Sequence, residues 1–401
     1  MAQTQTINAE RSGPALAAAT ALSLPLGSIY AFSVFIAPLE KMLGADRSDL
    51  ASVFGISVIF FTIGLNLAPR LFGLIPVTGI MALSATLASA GVAVAAMAPD
   101  FRWLAFGYGV LFALGGGVAY VGAQQCVNAT PIRRPGLVNG YLVSLFPLGA
   151  MLAAPAFGWG IETHGVRATL AGLAVVVAVS GIVAAILMAR SGVQLARPKP
   201  VPAGGAPDST GNISSGRLRA VFWKLFLVFT FAASAGLMVL SQAVVILEAY
   251  GVGKATALAA TTGITAAIAA ARLGGGLLVD RMSVPAVAAS AQGTALAGAL
   301  LLALVPRPET AIVSLGLIGI GYGLISGVTA GGVALYWPKA AFGQTVSRIY
   351  IAWCVAALTL PVVAAKLFDL TGHYHSAILL AAAANFCGMI VGATLPGQTK
   401  R

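Results

Sequence analysis

The chain has 401 residues, 59% of them hydrophobic and 8% charged, with a formal net charge of +12. Soluble globular chains carry about 25% charged residues, so a wholly water-solvated protein is excluded. The basic excess does not mark a nucleic-acid binder either, because Lys and Arg lie scattered in short segments between apolar runs and do not cluster on one face.

The opening MAQTQTINAERSGPA has neither a charged region leading into a short apolar core nor a cleavage site, so the first apolar run, 14–37, is expected to remain as a span. Runs at 48–71, 75–98, 103–128, 137–160 and 167–190 follow, each bounded by charged or Pro/Gly-rich residues. A run of about 20 residues, at 1.5 Å per residue, crosses a hydrocarbon core of roughly 30 Å. The polar segment ARSGVQLARPKPVPAGGAPDSTGNISSGRLRA reads as a flexible linker. Six further runs follow it, at 222–249, 255–279, 284–305, 310–335, 345–367 and 376–396. The expected fold class is an all-α integral membrane protein of twelve transmembrane helices in two related six-helix bundles. Residues 1–189 form the first bundle, 190–220 a cytoplasmic linker and 221–401 the second bundle.

Orientation follows from Lys and Arg in the loops. Fifteen of the 23 fall on the side of the N-terminus, seven on the opposite side, and Arg272 falls within a span. That bias places both termini in the cytoplasm. Cys126, Cys354 and Cys387 fall in spans with no metal-ligand spacing and no disulfide framework. No metal or cofactor is expected, and no enzyme, because no nucleophile-base pair, metal cluster or phosphate loop lies at membrane depth.

The halves resemble each other. GSIYAFSVFIAPLE matches GLMVLSQAVVILE, and GLNLAPR matches GGLLVDR; Pro131, Gly136, Glu162 and Gly165 align with Pro338, Gly343, Asp369 and Gly372 at a constant offset of 207. A duplicated six-span unit is the trace of a transporter with two related halves and a site between them.

The stretches LPLGSIYAFSVFIAPLEKMLG, GYGVLFALGGGVAYVGA, FWKLFLVFTFAASAGLM and LFDLTGHYHSAILL resemble the major facilitator superfamily, and within it the oxalate:formate antiporter and monocarboxylate transporter branch of bacterial type. The superfamily's cytoplasmic loop signature, Gly-x-x-x-Asp-Arg, is matched by Gly276, Asp280 and Arg281. In the first half it has decayed to GLNLAPR, with Pro69 in place of the acid.

Arg272 is the residue that demands an explanation. An arginine near a bilayer centre costs about 2.5–3.5 kcal/mol even on the mildest insertion scale. Its helix face carries Thr265, Ile268, Ala269, Gly275 and Gly276, which let a neighbouring helix or a ligand approach. All eleven acids lie in loops or at span ends, so no protein anion waits at its depth. The expected partner is an anionic substrate, since a guanidinium fork matches a carboxylate bidentately. The bland alternative is that Arg272 caps carbonyl groups.

Tyr30, Tyr120, Tyr322 and Trp353 lie near the middle of their spans, where the resemblance implies aromatic residues lining a central site; Tyr350 is the alternative to Trp353. Gln124 shares a helix face with Tyr120 and Gly116, and Gln242 is a further candidate that could equally bond across helices. His164, His373 and His375 read as loop histidines, and Arg133 and Arg134 as topology determinants.

Oxalate carriers add an intramembrane lysine in the eleventh span, whereas here nothing between Arg348 and Lys366 is charged. Animal monocarboxylate transporters place an acid four residues before the arginine and a lysine in the first span; here these are Ile268 and no lysine. One fixed charge favours a monoanion.

The expected function is therefore secondary transport of small monocarboxylates such as lactate, pyruvate or formate by alternating access, as proton symport or anion exchange, in a bacterial inner membrane and as a monomer. Partners would be the carboxylate, protons as an optional coupling ion and the lipid bilayer. A substrate-sensing receptor that binds without flux, or a carrier of another organic anion such as oxalate, are the alternatives.

Overall fold

In a computed structural model that describes residues 2–195 and 215–397, twelve helices are long and apolar enough to cross a membrane. They are α1 (Ser12–Ala31), α2 (Ser48–Leu71), α3 (Val77–Ala96), α4 (Phe101–Ala129), α5 (Pro135–His164), α6 (Val166–Ser191), α7 (Gly216–Ala249), α8 (Lys254–Val279), α9 (Val284–Leu304), α10 (Pro308–Tyr336), α11 (Lys339–Thr371) and α12 (His375–Ala393). Most of the expected linker, 196–214, lies outside the described residues.

The spans follow the apolar runs closely; α7 starts at Gly216, within the expected linker, and the first run departs in an instructive way. The run 14–37 does not form a single helix. Its chain tightens into a 3-10 turn at Gly27–Ala31 and continues as a separate helix, Ser33–Leu43. Pro25 has removed one backbone donor just before this point. Gly27 then lets the turn press against the backbone of Phe146, where a Cβ would have no room.

The duplication is visible in the turns. Gly44 and Gly251 have φ of +61° and +88°, and Gly165 and Gly372 have φ of +83° and +74°. Both pairs are separated by 207 residues. A side chain is strained in that left-handed region, so each half ends its helices with the same glycine device.

Two compact units account for the contacts among the described residues. One gathers the chain up to Arg133, the segment from Ser144 to the end of α6, and Pro338–Arg348. The other gathers Arg134–Val143, the segment from the start of α7 to Trp337, and the chain from Ile349 onward. The first turns of α5 and of α11 thus each belong to the opposite unit from the rest of their helix.

Small residues close the packing inside each unit, as expected where lipid removes the hydrophobic drive between helices. In the first, Gly115 of α4 lies against Ser84 and Ala88 of α3. In the second, Gly323 and Gly327 of α10 lie against the carbonyl groups of Ile268 and Arg272 on α8. Outward faces are apolar: Val175, Val176, Val179, Ile182, Val183 and Ile186 of α6 are all exposed, as a lipid-facing helix requires.

Further irregularities interrupt α4 and α11. Ala105–Phe112 of α4 is wound as a π-helix. In α11 the helical segments Phe342–Ile349, Ile351–Leu358 and Leu360–Thr371 are separated at Tyr350 and Thr359.

Candidate functional site

Arg272 lies on α8 with 4% of its surface exposed and is the one buried charged side chain among the described residues. Its Nη1 donates to the carbonyl oxygen of Val143 at 3.0 Å, and its Nη2 donates to the hydroxyl of Tyr322 at 3.1 Å. The guanidinium carbon also stands 5.2 Å from the centroid of the Tyr322 ring, within cation–π range. Val143, Arg272 and Tyr322 all belong to the second unit.

Glycines permit this arrangement. A Cβ on Gly140 of α5 would stand 2.8 Å from the Arg272 carbonyl and 3.0 Å from Gly276 Cα, so α5 and α8 meet nearly backbone to backbone. Gly236 of α7 lies flat against the Tyr322 ring, and any side chain there would displace it. The ring is 1% exposed, which fixes the hydroxyl on the arginine.

The other candidates fall into two groups. Trp353 and Gln242 belong to the same unit as Arg272. Trp353 is buried just after the interruption at Tyr350, and Tyr350 packs edge-on against Phe229 at 5.5 Å. Gln242 donates from Nε2 to the carbonyl of Pro361 at 2.6 Å, beside the second interruption of α11, so it ties α7 to α11.

Tyr30, Tyr120 and Gln124 belong to the first unit. The Tyr120 ring meets Phe146 edge-on at 4.8 Å and lies 5.8 Å from Phe61, while Tyr30 approaches Phe146 at 6.4 Å. Phe146 and Phe61 are therefore the hub of an aromatic cluster. One turn along α4 from Tyr120, Gln124 is 1% exposed, and neither atom of its side-chain amide meets a protein partner. Buried amides without partners are rare, so this group is suited to a ligand or a water. Sequence reasoning missed Phe146, Phe61 and Val143. The first two look like ordinary core residues, and the third acts only through its backbone.

The loop signature works as a helix cap. Asp280, at the end of α8, accepts the backbone N–H of Gly136 at its Oδ1 and of Leu137 at its Oδ2, both at 2.8 Å. A carboxylate there satisfies the orphan donors of the first turn of α5 and faces the positive end of its dipole. Gly276 lies against Gly136 and Gly140, and Arg281 is exposed. The decayed signature of the first half has a substitute. Gly343, the counterpart of Gly136, donates its N–H to Gln125 Oε1 at 2.6 Å, and Gln125 Nε2 donates to the Lys339 carbonyl at 3.0 Å. Lys339 Nζ in turn donates to the Thr130 carbonyl at 2.7 Å, and Asn66 Nδ2 to that of Ser347 at 3.2 Å.

No group of three or more His, Cys, Asp or Glu able to hold a metal ion occurs among the described residues. The sequence profile of the Major Facilitator Superfamily matches residues 16–283. The chain belongs to the major facilitator superfamily. Among superfamily members it is similar to the uncharacterized MFS-type transporter YhjX of Escherichia coli (strain K12), at 25% identity over 264 residues. That alignment covers 64% of this chain and 63% of YhjX, so the chain spans just under two thirds of that relative's length. Its fold is similar to that of the proton:xylose symporter XylE bound to 6-bromo-6-deoxy-D-glucose, with a TM-score of 0.73, 13% identity and 97% coverage of each chain. It is similar also to FucP in the outward conformation, with a TM-score of 0.67, 15% identity, and coverage of 95% of this chain and 99% of that one. Superfamily members are secondary transporters and not enzymes, and at these identities the two solved structures speak to the fold alone.

Proposed function

We propose that this chain is a secondary transporter of small monocarboxylate anions, of the oxalate:formate antiporter and monocarboxylate transporter branch, with Arg272 as the group that receives the carboxylate. The observation that carries this reading is a buried guanidinium in a chain where, among the described residues, no Asp or Glu is buried. Nη1 and Nη2 donate to neutral groups, the Val143 carbonyl and the Tyr322 hydroxyl, while the guanidinium carries a full positive charge. A carboxylate balances it and fits the planar fork bidentately. Tyr322 then offers its hydroxyl beside the bound oxygen.

One buried cation balances one negative charge, which favours a monoanion over oxalate. Tyr30, Tyr120, Gln124, Gln242 and Trp353 are assigned to substrate lining, with Gln124 the strongest because its amide is buried and unsatisfied. His164, His373 and His375 are exposed, and no buried side chain among the described residues is a carboxylate or histidine able to relay a proton. Any proton that moves with substrate therefore travels on the substrate, on water or on a tyrosine. Alternating access between two halves divided at the linker, in an inner membrane with both termini cytoplasmic, completes the reading.

The test is uptake of labelled pyruvate, lactate and formate by proteoliposomes. Arg272→Ala is expected to lose at least 100-fold in uptake rate while still inserting, the order of effect expected when a buried charge-assisted pair is lost. Retained carboxylate uptake by that variant would overturn the assignment. Binding of these anions without flux would make the protein a sensor.

A further inference from the structure

Val143 is an unusual partner for Arg272, because a carbonyl inside a helix is normally occupied by the N–H four residues on. Here the residue four on is Pro147, which lies inside α5 and has no N–H. The sequence YLVSLFPLGA thus withholds the helical donor from one carbonyl, and that carbonyl is the one that Arg272 Nη1 reaches at 3.0 Å. Gly140, one turn earlier, brings α5 close enough for the contact. Val143 is also the residue at which α5 passes from one compact unit to the other.

We infer that Pro147 is a positioning residue for Arg272: by leaving the Val143 carbonyl without its helical donor, it supplies the acceptor that holds the guanidinium between substrates. A substrate carboxylate takes Nη1 from this carbonyl, and the carbonyl takes it back on release. Binding is weakened by that competition and release is assisted by it. The substrate step rests on the carboxylate reading given above, whereas the hydrogen bond from Arg272 to the Val143 carbonyl does not.

Pro147→Ala restores the missing N–H and closes the helical bond to Val143. Pro155→Ala does the same elsewhere in α5, freeing no acceptor for Arg272, and serves as the matched control. In pyruvate uptake by proteoliposomes, Pro147→Ala is expected to lower KM and kcat together by about fivefold each, the equivalent of one neutral hydrogen bond exchanged. Pro155→Ala is expected to change neither beyond about twofold, since it meets no substrate-linked group.

A second readout needs no substrate. In the 15N-arginine spectrum of the full chain, Arg272 is assigned by its disappearance in Arg272→Ala, and its guanidinium protons are expected to exchange slowly in the native protein and faster in Pro147→Ala. Unchanged exchange, unchanged kinetics, or equal effects of the two proline variants would each overturn the inference. If the native protein takes up no monocarboxylate, the transport reading fails by itself, and the arginine spectrum alone decides the role of Pro147.

Discussion

The first turns of α5 and of α11 occupy matching places in the two repeats and are held by different chemistry. At the start of α5, the Asp280 carboxylate accepts two backbone N–H groups, from Gly136 and Leu137. At the start of α11, a neutral amide, Gln125, accepts one N–H from Gly343 and donates to the Lys339 carbonyl. The repeat has kept the demand and changed the supplier. A helix start inside a packed unit presents orphan donors whatever the sequence, and the structure answers them with a charge on one side and without one on the other.

The difference extends to the packing. Gly136 meets backbone first: a Cβ there would run into the Gly276 carbonyl, with Val279 Cγ2 at 2.7 Å and Asp280 Oδ1 at 2.8 Å behind it. Gly343 faces side chains: a Cβ there would stand 2.7 Å from Phe72 Cε2 and 2.9 Å from Gln125 Oε1. Backbone cannot move aside without shifting a helix, whereas a ring or an amide can rotate. The charged start is thus the tighter of the two.

Breaking the tighter start should have the largest effect. Gly136→Ala is expected to destabilise the folded state by about 3 kcal/mol, at the upper end of overpacking costs, and to abolish uptake. Thermal unfolding in detergent at a fixed scan rate checks this, and a melting temperature near the native value would contradict the packing argument. Asp280→Ala comes next, at about 2 kcal/mol, because it strips a charged acceptor from two part-buried donors. Asp280→Asn should recover about half of that loss, since it keeps one oxygen and loses the charge.

Much of this comparison was legible in the sequence. The constant offset joining Pro131 and Gly136 to Pro338 and Gly343 marks the two helix starts as equivalents, and Asp280 stands out within a recognisable loop pattern. Gln125 does not stand out, because an amide in a span reads as a generic cross-helix bond and only the fold shows which amide it meets. Arg272 is conspicuous by charge, yet its Val143 partner is a backbone atom and carries no letter in the sequence. Pro147 is the trace that it leaves, in plain view, since a proline inside a span always frees a carbonyl one turn before it. The interruption of α11 at Tyr350 has no such trace, as no proline or glycine lies within five residues on either side. The one at Thr359 is announced by Pro361.

The neutral start should be gentler to disturb. Gln125→Leu removes one acceptor and one donor of ordinary strength and leaves the Gly343 N–H and the Lys339 carbonyl unmet, an expected loss of about 1–2 kcal/mol. Its effect on unfolding should not depend on salt, whereas part of the loss in Asp280→Asn should vanish at high ionic strength, because only there is a charge facing a helix dipole removed. Equal salt responses in the two variants would mean that the two starts are electrostatically alike.

Gly343→Ala is the mildest change and the sharpest test of the packing contrast. The same atoms are added as in Gly136→Ala, at the equivalent residue of the other repeat and next to a neutral cap in place of a charged one. If the cost were set by the cap alone, the larger penalty would follow the charge and the two alanine variants would each track their capping residue. If it is set by what the new Cβ meets, Gly343→Ala should cost about 1 kcal/mol, because the Phe72 ring and the Gln125 amide rotate by a few tenths of an ångström while the backbone stays in place. Gly343→Ala combined with Phe72→Leu, which clears the ring, should then regain most of that loss in the same melting experiment. No second substitution should rescue Gly136→Ala, since the carbonyl of Gly276 is in its way whatever side chain stands at 276.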